Sequence, residues 1–250
     1  MNVVKIMGGL GNQLFQYALS KHLEKFDEIG YDTTFFTSEG NLNGAWEHRD
    51  FLLPYFVDNL KIVNDADDLT KVFQWEYDYL RRYKNCFFWG DWQRASYSHD
   101  AKIDINLKDE YITDDMRRLA AEMSQCNSVG VHVRRGDYAK FSWILHPSYY
   151  DRAFKRINQL VTNPHFYIFS DDPEWCKYNL PIGLKIFFHG SELEDFWLMS
   201  QCKHNIIANS TYSYWAAFLN KNKEKQIIYP EKWNIDIQHP VDCLEGWKPA

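Results

Sequence analysis

Val129-Gly130-Val131-His132-Val133-Arg134-Arg135-Gly136-Asp137-Tyr138 is the stretch whose reading decides the fold. Valines at 129, 131 and 133 alternate with other residues, the pattern of a buried strand. Two guanidiniums, a turn glycine and a carboxylate follow at its carboxyl end, and in an open α/β sheet ligands bind beyond that end of the strands. Adjacent arginines are costly to hold beside a core unless something anionic meets them. The planar guanidinium fork suits a phosphate or pyrophosphate better than a lysine point charge does. The stretch therefore predicts an α/β sheet with a phosphorylated ligand.

Working outward from it, the carboxyl-terminal half shows a repeated βα register. Strands are expected at 165–169, 184–188, 205–208 and 226–229, with helices at about 147–161, 192–202 and 211–220, hence a doubly wound sheet. The amino-terminal end reads as a strand at 3–7, a glycine loop at 8–11 and an amphipathic helix at 12–26, followed by a second strand at 33–36. Residues 37–127 are aromatic-rich and less periodic. They suggest a helix over Phe73–Leu80, a strand over Asn85–Trp89 and a helix over about 110–124. A boundary near residue 127 gives two domains, 1–127 and 128–250, although no Pro/Gly/Ser linker marks it.

Composition narrows the partners. The chain has 250 residues, 45% hydrophobic and 25% charged, enough for one large domain or two modest ones. Its net charge of −6 argues against nucleic acid or an anionic membrane as partner, so any anionic ligand must be met locally. The 17% aromatic share includes ten tryptophans, and such rings serve either as core or as stacking faces for sugars and bases. Five cysteines with no CxxC pair read as reduced thiols and favour a cytoplasmic location. No signal-peptide pattern opens the chain, and no run of 18 apolar residues occurs to span a membrane.

The motifs each have a plain reading beside the functional one. Gly8-Gly9-Leu10-Gly11-Asn12-Gln13-Leu14 places backbone amides at a helix start, where they can face a ligand oxygen. It is neither a dinucleotide fingerprint nor a P-loop, because Leu14 takes the third glycine position and no Gly-Lys-Ser/Thr follows. His132 and Arg134 share one face of their strand, as a ligand site or as a salt-bridged strand end. Asp171-Asp172 follow the strand Phe166–Phe169, as an N-cap, a ligand contact, or one of each. Asn209-Ser210-Thr211 precede a helix, as a phosphate site or a cap. Asp65-Ala66-Asp67-Asp68 looks like a metal-binding DxD, but acids in the first turn of a helix explain it better. No His/Cys cluster suggests zinc and no Gly-x-Ser-x-Gly suggests a hydrolase elbow.

Taken in order, Gly8 to Ala18, Gly90-Asp91-Trp92-Gln93, Val131 to Tyr138, Phe166 to Asp172, Leu198 to Thr211 and Pro230-Glu231-Lys232-Trp233 closely resemble the α-1,2-fucosyltransferases of glycosyltransferase family 11. The resemblance runs from residue 4 to about 235. It implies an α/β, GT-B-like fold, two Rossmann-like domains facing across a cleft, and an inverting enzyme that needs no metal and no cofactor. The donor implied is GDP-β-L-fucose, moved to the 2-hydroxyl of a galactose-terminated glycan, with 1–127 on the acceptor side and 128–250 binding the donor. By the shared His-x-Arg-Arg motif Arg134 is the pyrophosphate clamp with His132 beside it, and Arg135 shares the work. The resemblance also implies that Asp171 or Asp172 reads guanine, that Asn209, Ser210 and Thr211 lie near the phosphate, and that Gly9, Gly11 and Asn12 approach the donor sugar. Trp92, Gln93 and Tyr138 are candidates for the acceptor. Asp91 stands where an aromatic is usual and Tyr214 where a tryptophan is usual, which leaves acceptor identity open.

Inverting transfer needs the departing GDP stabilised and a proton removed from the incoming hydroxyl. The arginines and the 209–211 loop suit the first task. For the second, Asp137 is a carboxylate close to the cleft and His132 has the right pKa class, although His132 reads rather as a donor-site contact, and a dissociative reaction needs little help from a base. Two other readings stay open: a fucosyltransferase of another linkage, and a non-catalytic nucleotide-sugar or glycan-binding protein.

Overall fold

The computed structural model describes residues 1–37, 49–66, 68–75, 80–180, 185–188, 190–233 and 246–250. It divides into two compact units, Met1–Ile105 and Asn106–Ala250. The first holds strands β1 (Asn2–Lys5), β2 (Ile29–Asp32), β3 (Thr70–Phe73) and β4 (Cys86–Trp89), with helices α1 (Leu10–Leu23) and α2 (Ala95–Asp100). Its sheet runs β2-β1-β4-β3, all parallel, with Val3 opposite Gly30 on one side and Phe87 on the other. Helix α1 packs against β1 and α2, burying Leu10, Leu14, Phe15, Ala18, Leu19 and Leu23.

The second unit begins with helix α3 (Asp114–Ser124), capped by the Thr113 hydroxyl, which accepts from the Met116 amide at 3.2 Å. Strands β5 (Asn127–Val133), β6 (Pro164–Ser170), β7 (Lys185–Phe188), β8 (His204–Ile206), β9 (Ile227–Tyr229) and β10 (Lys248–Pro249) follow. They alternate with α4 (Pro147–Leu160), α5 (Pro173–Asn179), α6 (Glu192–Gln201) and α7 (Thr211–Leu219). The sheet order β10-β9-β8-β5-β6-β7, all parallel, is the dinucleotide-fold order. The chain leaves β5 toward one edge and returns at β8 toward the other, so the switch point lies between β5 and β8.

The alternation in β5 works as expected. Val129, Val131 and Val133 are buried against Tyr150, Ala153, Phe154 and Ile157 of α4, together with Ile168 and Ile206. Each such valine contributes roughly 1.5–3 kcal/mol by leaving water. On the other face Gly130 lets the strand come close, since a Cβ there would meet Cys202 Sγ at 3.1 Å and Met199 Cγ at 3.3 Å.

Three expectations are corrected, and a fourth falls partly outside the described residues. The second strand is Ile29–Asp32 rather than 33–36, because the Asp32 carboxylate accepts from Thr34 N at 3.1 Å and Thr34 Oγ1 at 2.7 Å and turns the chain into a single 3-10 turn. The residues after the acidic run form β3 rather than a helix, with Thr70 and Val72 supplying β-branched side chains; Asp67 lies outside the described residues. The helix expected over Phe73–Leu80 begins on the last residue of β3, and 76–79 lie outside the described residues. The boundary falls at 105/106 rather than near 127, because α3 packs on α6 and β5, with Met123 Sδ 3.9 Å from Cys202 Sγ. Cys86, Cys126, Cys176 and Cys202 are free thiols, and Cys243 lies outside the described residues.

Candidate functional site

In the second unit, Arg134 and Arg135 leave the end of β5 at the switch point. Arg134 Nη2 donates to Asp137 Oδ1 at 2.6 Å, and its Nη1 lies 3.0 Å from Asp171 Oδ2. Two of its five N–H groups are thereby engaged, and the side chain stays 23% exposed. The guanidinium also sits 5.4 Å from the centre of the Tyr138 ring. Arg135 donates through its backbone amide to Asp171 Oδ1 at 2.8 Å and through Nε to Asp172 Oδ2 at 2.9 Å. Its guanidinium carbon lies 4.1 Å above the Trp175 ring. Gly136 permits this closeness, because a Cβ there would stand 2.8 Å from Asp171 Oδ2.

The electrostatics follow from this web. Burial works against charge on Arg134, but the carboxylates of Asp171 and Asp137 more than offset it and raise its pKa further. Asp172 caps α5 by accepting from Trp175 N at 3.0 Å, and that bond together with Arg135 holds its carboxyl below the usual carboxylate range. Of the two acids at this strand end, Asp172 is thus the cap and Asp171 the tie to Arg134. His132 is only 6% exposed, with its ring 5.4 Å from that of Tyr212. Burial, and then the charge of Arg134, push its pKa down to about 3, so the imidazole is neutral near pH 7.

At the neighbouring end of β8, Tyr138 donates through its hydroxyl to the Asn209 carbonyl at 3.2 Å, and Asn209 Nδ2 donates to the Trp143 carbonyl at 2.9 Å. The buried Asn209 Oδ1 has no hydrogen-bond partner among the described residues. Ser210 occupies the N-cap of α7, yet its side chain makes no capping bond, so capping does not account for it. Tyr138 therefore joins the β5 and β8 loops. His132, Arg134, Arg135, Asp137, Tyr138, Asp171 and Asp172 converge with the Asn209-Ser210-Thr211 segment on this one switch point.

The first unit has its own switch point, between β1 and β4. Gly8, at φ +75°, turns the chain into α1, and the Gly9 carbonyl accepts from the Asn12 and Gln13 amides at 3.0 and 3.1 Å, with Gly11 buried in the first turn. Asn12 Nδ2 donates to Asp91 Oδ1 at 3.1 Å, and Gln93 Nε2 donates to Asn12 Oδ1 at 3.2 Å. Desolvation pushes the Asp91 carboxyl above the usual range. Trp92 departs from expectation as an acceptor contact: it is fully buried, its ring 5.8 Å from that of Phe88, and its φ of +53° folds it into the core.

Sequence reading missed Tyr212, Trp175, Gln13 and Gln16. The glutamines carried a signal, being polar positions set into the apolar face of α1, and both are fully buried. Among the described residues no group of three or more His, Cys, Asp or Glu side chains is arranged to hold a metal ion, and no helix is long and apolar enough to cross a membrane.

Two parallel sheets, one in dinucleotide-fold order with an arginine pair at its switch point, define an α/β glycosyltransferase of the GT-B type. The family model described as glycosyl transferase family 11 matches residues 1–242, and the chain belongs to that family. It is 28% identical to an α-1,2-colitosyltransferase of Escherichia coli, with 98% of this chain and 97% of that one covered. It is 27% identical to the galactoside 2-α-L-fucosyltransferase Sec1 of Mus musculus over 88% of this chain, spanning 64% of that protein. In structure it is similar to the fucosyltransferase NodZ from Bradyrhizobium, with a TM-score of 0.57 at 14% identity, covering 94% of this chain and 96% of that one. A NodZ α-1,6-fucosyltransferase soaked with GDP-fucose gives a TM-score of 0.54 at 14% identity, covering 86% and 91%.

Proposed function

We propose that this glycosyltransferase moves L-fucose from GDP-β-L-fucose to the 2-hydroxyl of a terminal galactoside, with inversion and without a metal or cofactor. The observation that carries the reading is the Arg134–Arg135 pair at the β5–β8 switch point, held in place by acids and, among the described residues, still keeping unspent N–H groups. Arg134 and Arg135 would clamp the diphosphate, with Ser210, Thr211 and the amino end of α7 beside them. Fixed cations and dipoles act where charge grows on the departing GDP, and they need no reorganisation at that moment. Asp137 and Asp171 orient Arg134. The tight pairing of Asp137 with that arginine makes it a positioning residue rather than the proton acceptor. His132, neutral and desolvated, contributes a ring and a hydrogen-bonding nitrogen without a further charge. Asn12 and Gln93, joined to each other and to Asp91 within the first unit, are proposed to meet the acceptor.

Family membership and the similarity to Sec1, a galactoside 2-α-L-fucosyltransferase, support the sugar and the linkage. A second donor is favoured by the colitosyltransferase relative, which matches nearly the whole chain. Colitose is 3-deoxy-L-fucose, so one hydroxyl separates the two donors.

Incubating the enzyme with GDP-fucose or GDP-colitose and a panel of β-galactosides, followed by linkage analysis, tests both. Transfer of fucose to a galactose 2-hydroxyl is the expected result. Neither transfer nor donor hydrolysis would count decisively against the reading. Arg134→Ala should lower turnover by about 100-fold or more while the protein stays folded; near-normal turnover would remove Arg134 from the site.

A further inference from the structure

We infer that Asp91 determines acceptor specificity: its carboxylate, oriented by Asn12 and flanked by Gln93, accepts hydrogen bonds from hydroxyls of the acceptor sugar. This rests on reading the chain as a transferase to a galactoside.

The position of Asp91 is tightly set. It follows the carboxyl end of β4, at the switch point of the first sheet. Its backbone amide donates to Gln74 Oε1 at 2.7 Å, and the preceding Gly90, at φ +147°, comes so close to Gln74 that a Cβ would stand 2.7 Å from the Gln74 Cβ. Asn12 Nδ2 donates to Oδ1, while Gln93 Nε2 occupies the carbonyl side of the same amide and so fixes which end faces Asp91.

What Asp91 lacks is equally informative. Among the described residues no cation lies within ion-pair distance, and Asn12 is the sole hydrogen-bond donor to its carboxylate. A desolvated carboxylate without a counter-charge is costly, and its raised pKa registers that cost. An asparagine would accept the same bond from Asn12 more cheaply, so packing alone gives no reason for an acid. A carboxylate with an unspent oxygen is suited to a pair of neighbouring sugar hydroxyls, each a donor it can accept from.

The test compares wild type with Asp91→Asn on GDP-fucose and a set of β-galactosides, each lacking one hydroxyl. The variant should raise the acceptor KM about tenfold, the scale of a lost charge-assisted hydrogen bond, with kcat changed by less than about threefold. One deoxygenation should cost the wild type about tenfold in kcat/KM and the variant almost nothing. Stabilisation of the variant by GDP in thermal unfolding shows that it is folded. Equal losses in both proteins for every deoxy acceptor would overturn the inference. So would a hundredfold fall in kcat at unchanged KM, which would make Asp91 the proton acceptor. If the wild type transfers to no galactoside at all, the functional reading fails and this inference with it.

Discussion

The two units place polar side chains at equivalent points, the ends of strands on either side of a sheet switch, but they stabilise them by opposite means. At the β5–β8 end two guanidiniums are matched with three carboxylates at distances from 2.6 to 3.0 Å. At the β1–β4 end one ion pair, Lys5 with Asp32 at 2.9 Å, lies to the side, and neutral amides hold the loops: Gln13 and Gln16 tie down the surrounding backbone, and Asn12 with Gln93 frames an acid. A charged web held ready for an anion must supply its own counter-ions while the ligand is absent. An amide web can be buried outright, because each amide both donates and accepts. The difference suits a diphosphate at one end and uncharged hydroxyls at the other.

The amide side of that comparison breaks most visibly at Gln13. Its Nε2 donates to the Gly8 and Asp50 carbonyls at 3.0 and 2.9 Å, and its Oε1 accepts from the Leu52 and Leu53 amides at 2.9 and 3.2 Å. Gln13→Ala strands four backbone groups in a region where Leu53 is fully buried. The expected cost is about 2–4 kcal/mol, which for a chain of this size lowers Tm by roughly 5–12 °C. Calorimetry showing a drop below about 2 °C would mean that water replaces these bonds and that the network is not structural.

Much of this was written in the sequence, and what was not has local causes. The second sheet was legible because strands buried on both faces advertise themselves as apolar runs, and β5 adds a period of two that ends in paired arginines. The second strand was misplaced because Asp32 stops it through bonds to Thr34, a decision made by one side chain that leaves the apolar pattern running on. The domain boundary was misplaced because α3 looks the same whichever sheet it covers; only its packing on α6 assigns it. Trp92 reads as a candidate acceptor contact because exposure is invisible in sequence, whereas its left-handed φ turns the ring inward. Asp91 was noticed merely as a departure, since its partner Asn12 lies 79 residues away.

Acid titration sharpens the comparison, because desolvation acts on groups of opposite charge type in the two units. His132 has its folded pKa lowered to about 3 from an ordinary 6.5, so between those values the unfolded chain binds a proton that the folded one refuses. Stability then rises with pH through that window, by up to about 1.4 kcal/mol per unit for one proton, and is complete above about 6.5. Asp91 has its folded pKa raised above 3.8, so its window lies just above that value and there stability falls as pH rises. His132→Asn should flatten the loss of Tm on acidification from about pH 6.5 to 4, and Asp91→Asn should steepen it near pH 4. Parallel Tm-against-pH curves for wild type and both variants would show that neither group is as desolvated as its surroundings imply.

The smallest effect falls on Asp172, where the charged web and ordinary helix capping share one carboxylate. Oδ1 caps α5 through Trp175 N, and Oδ2 holds Arg135 Nε. Asp172→Ala should cost about 1 kcal/mol through the lost cap, or roughly 2–4 °C in Tm. Because the folded pKa is lowered, the contribution of Asp172 is present above the ordinary value of 3.8 and is lost as pH falls through the folded one. Asp172→Ser separates the two duties, since a serine caps but cannot pair with a guanidinium at that reach. If the acids exist to aim the arginines, the serine variant recovers Tm while turnover stays several-fold below wild type, with the Trp175 ring still supporting Arg135 from beneath. Recovery of both would reduce Asp172 to a cap and leave Asp137 and Asp171 as the acids that orient the pair.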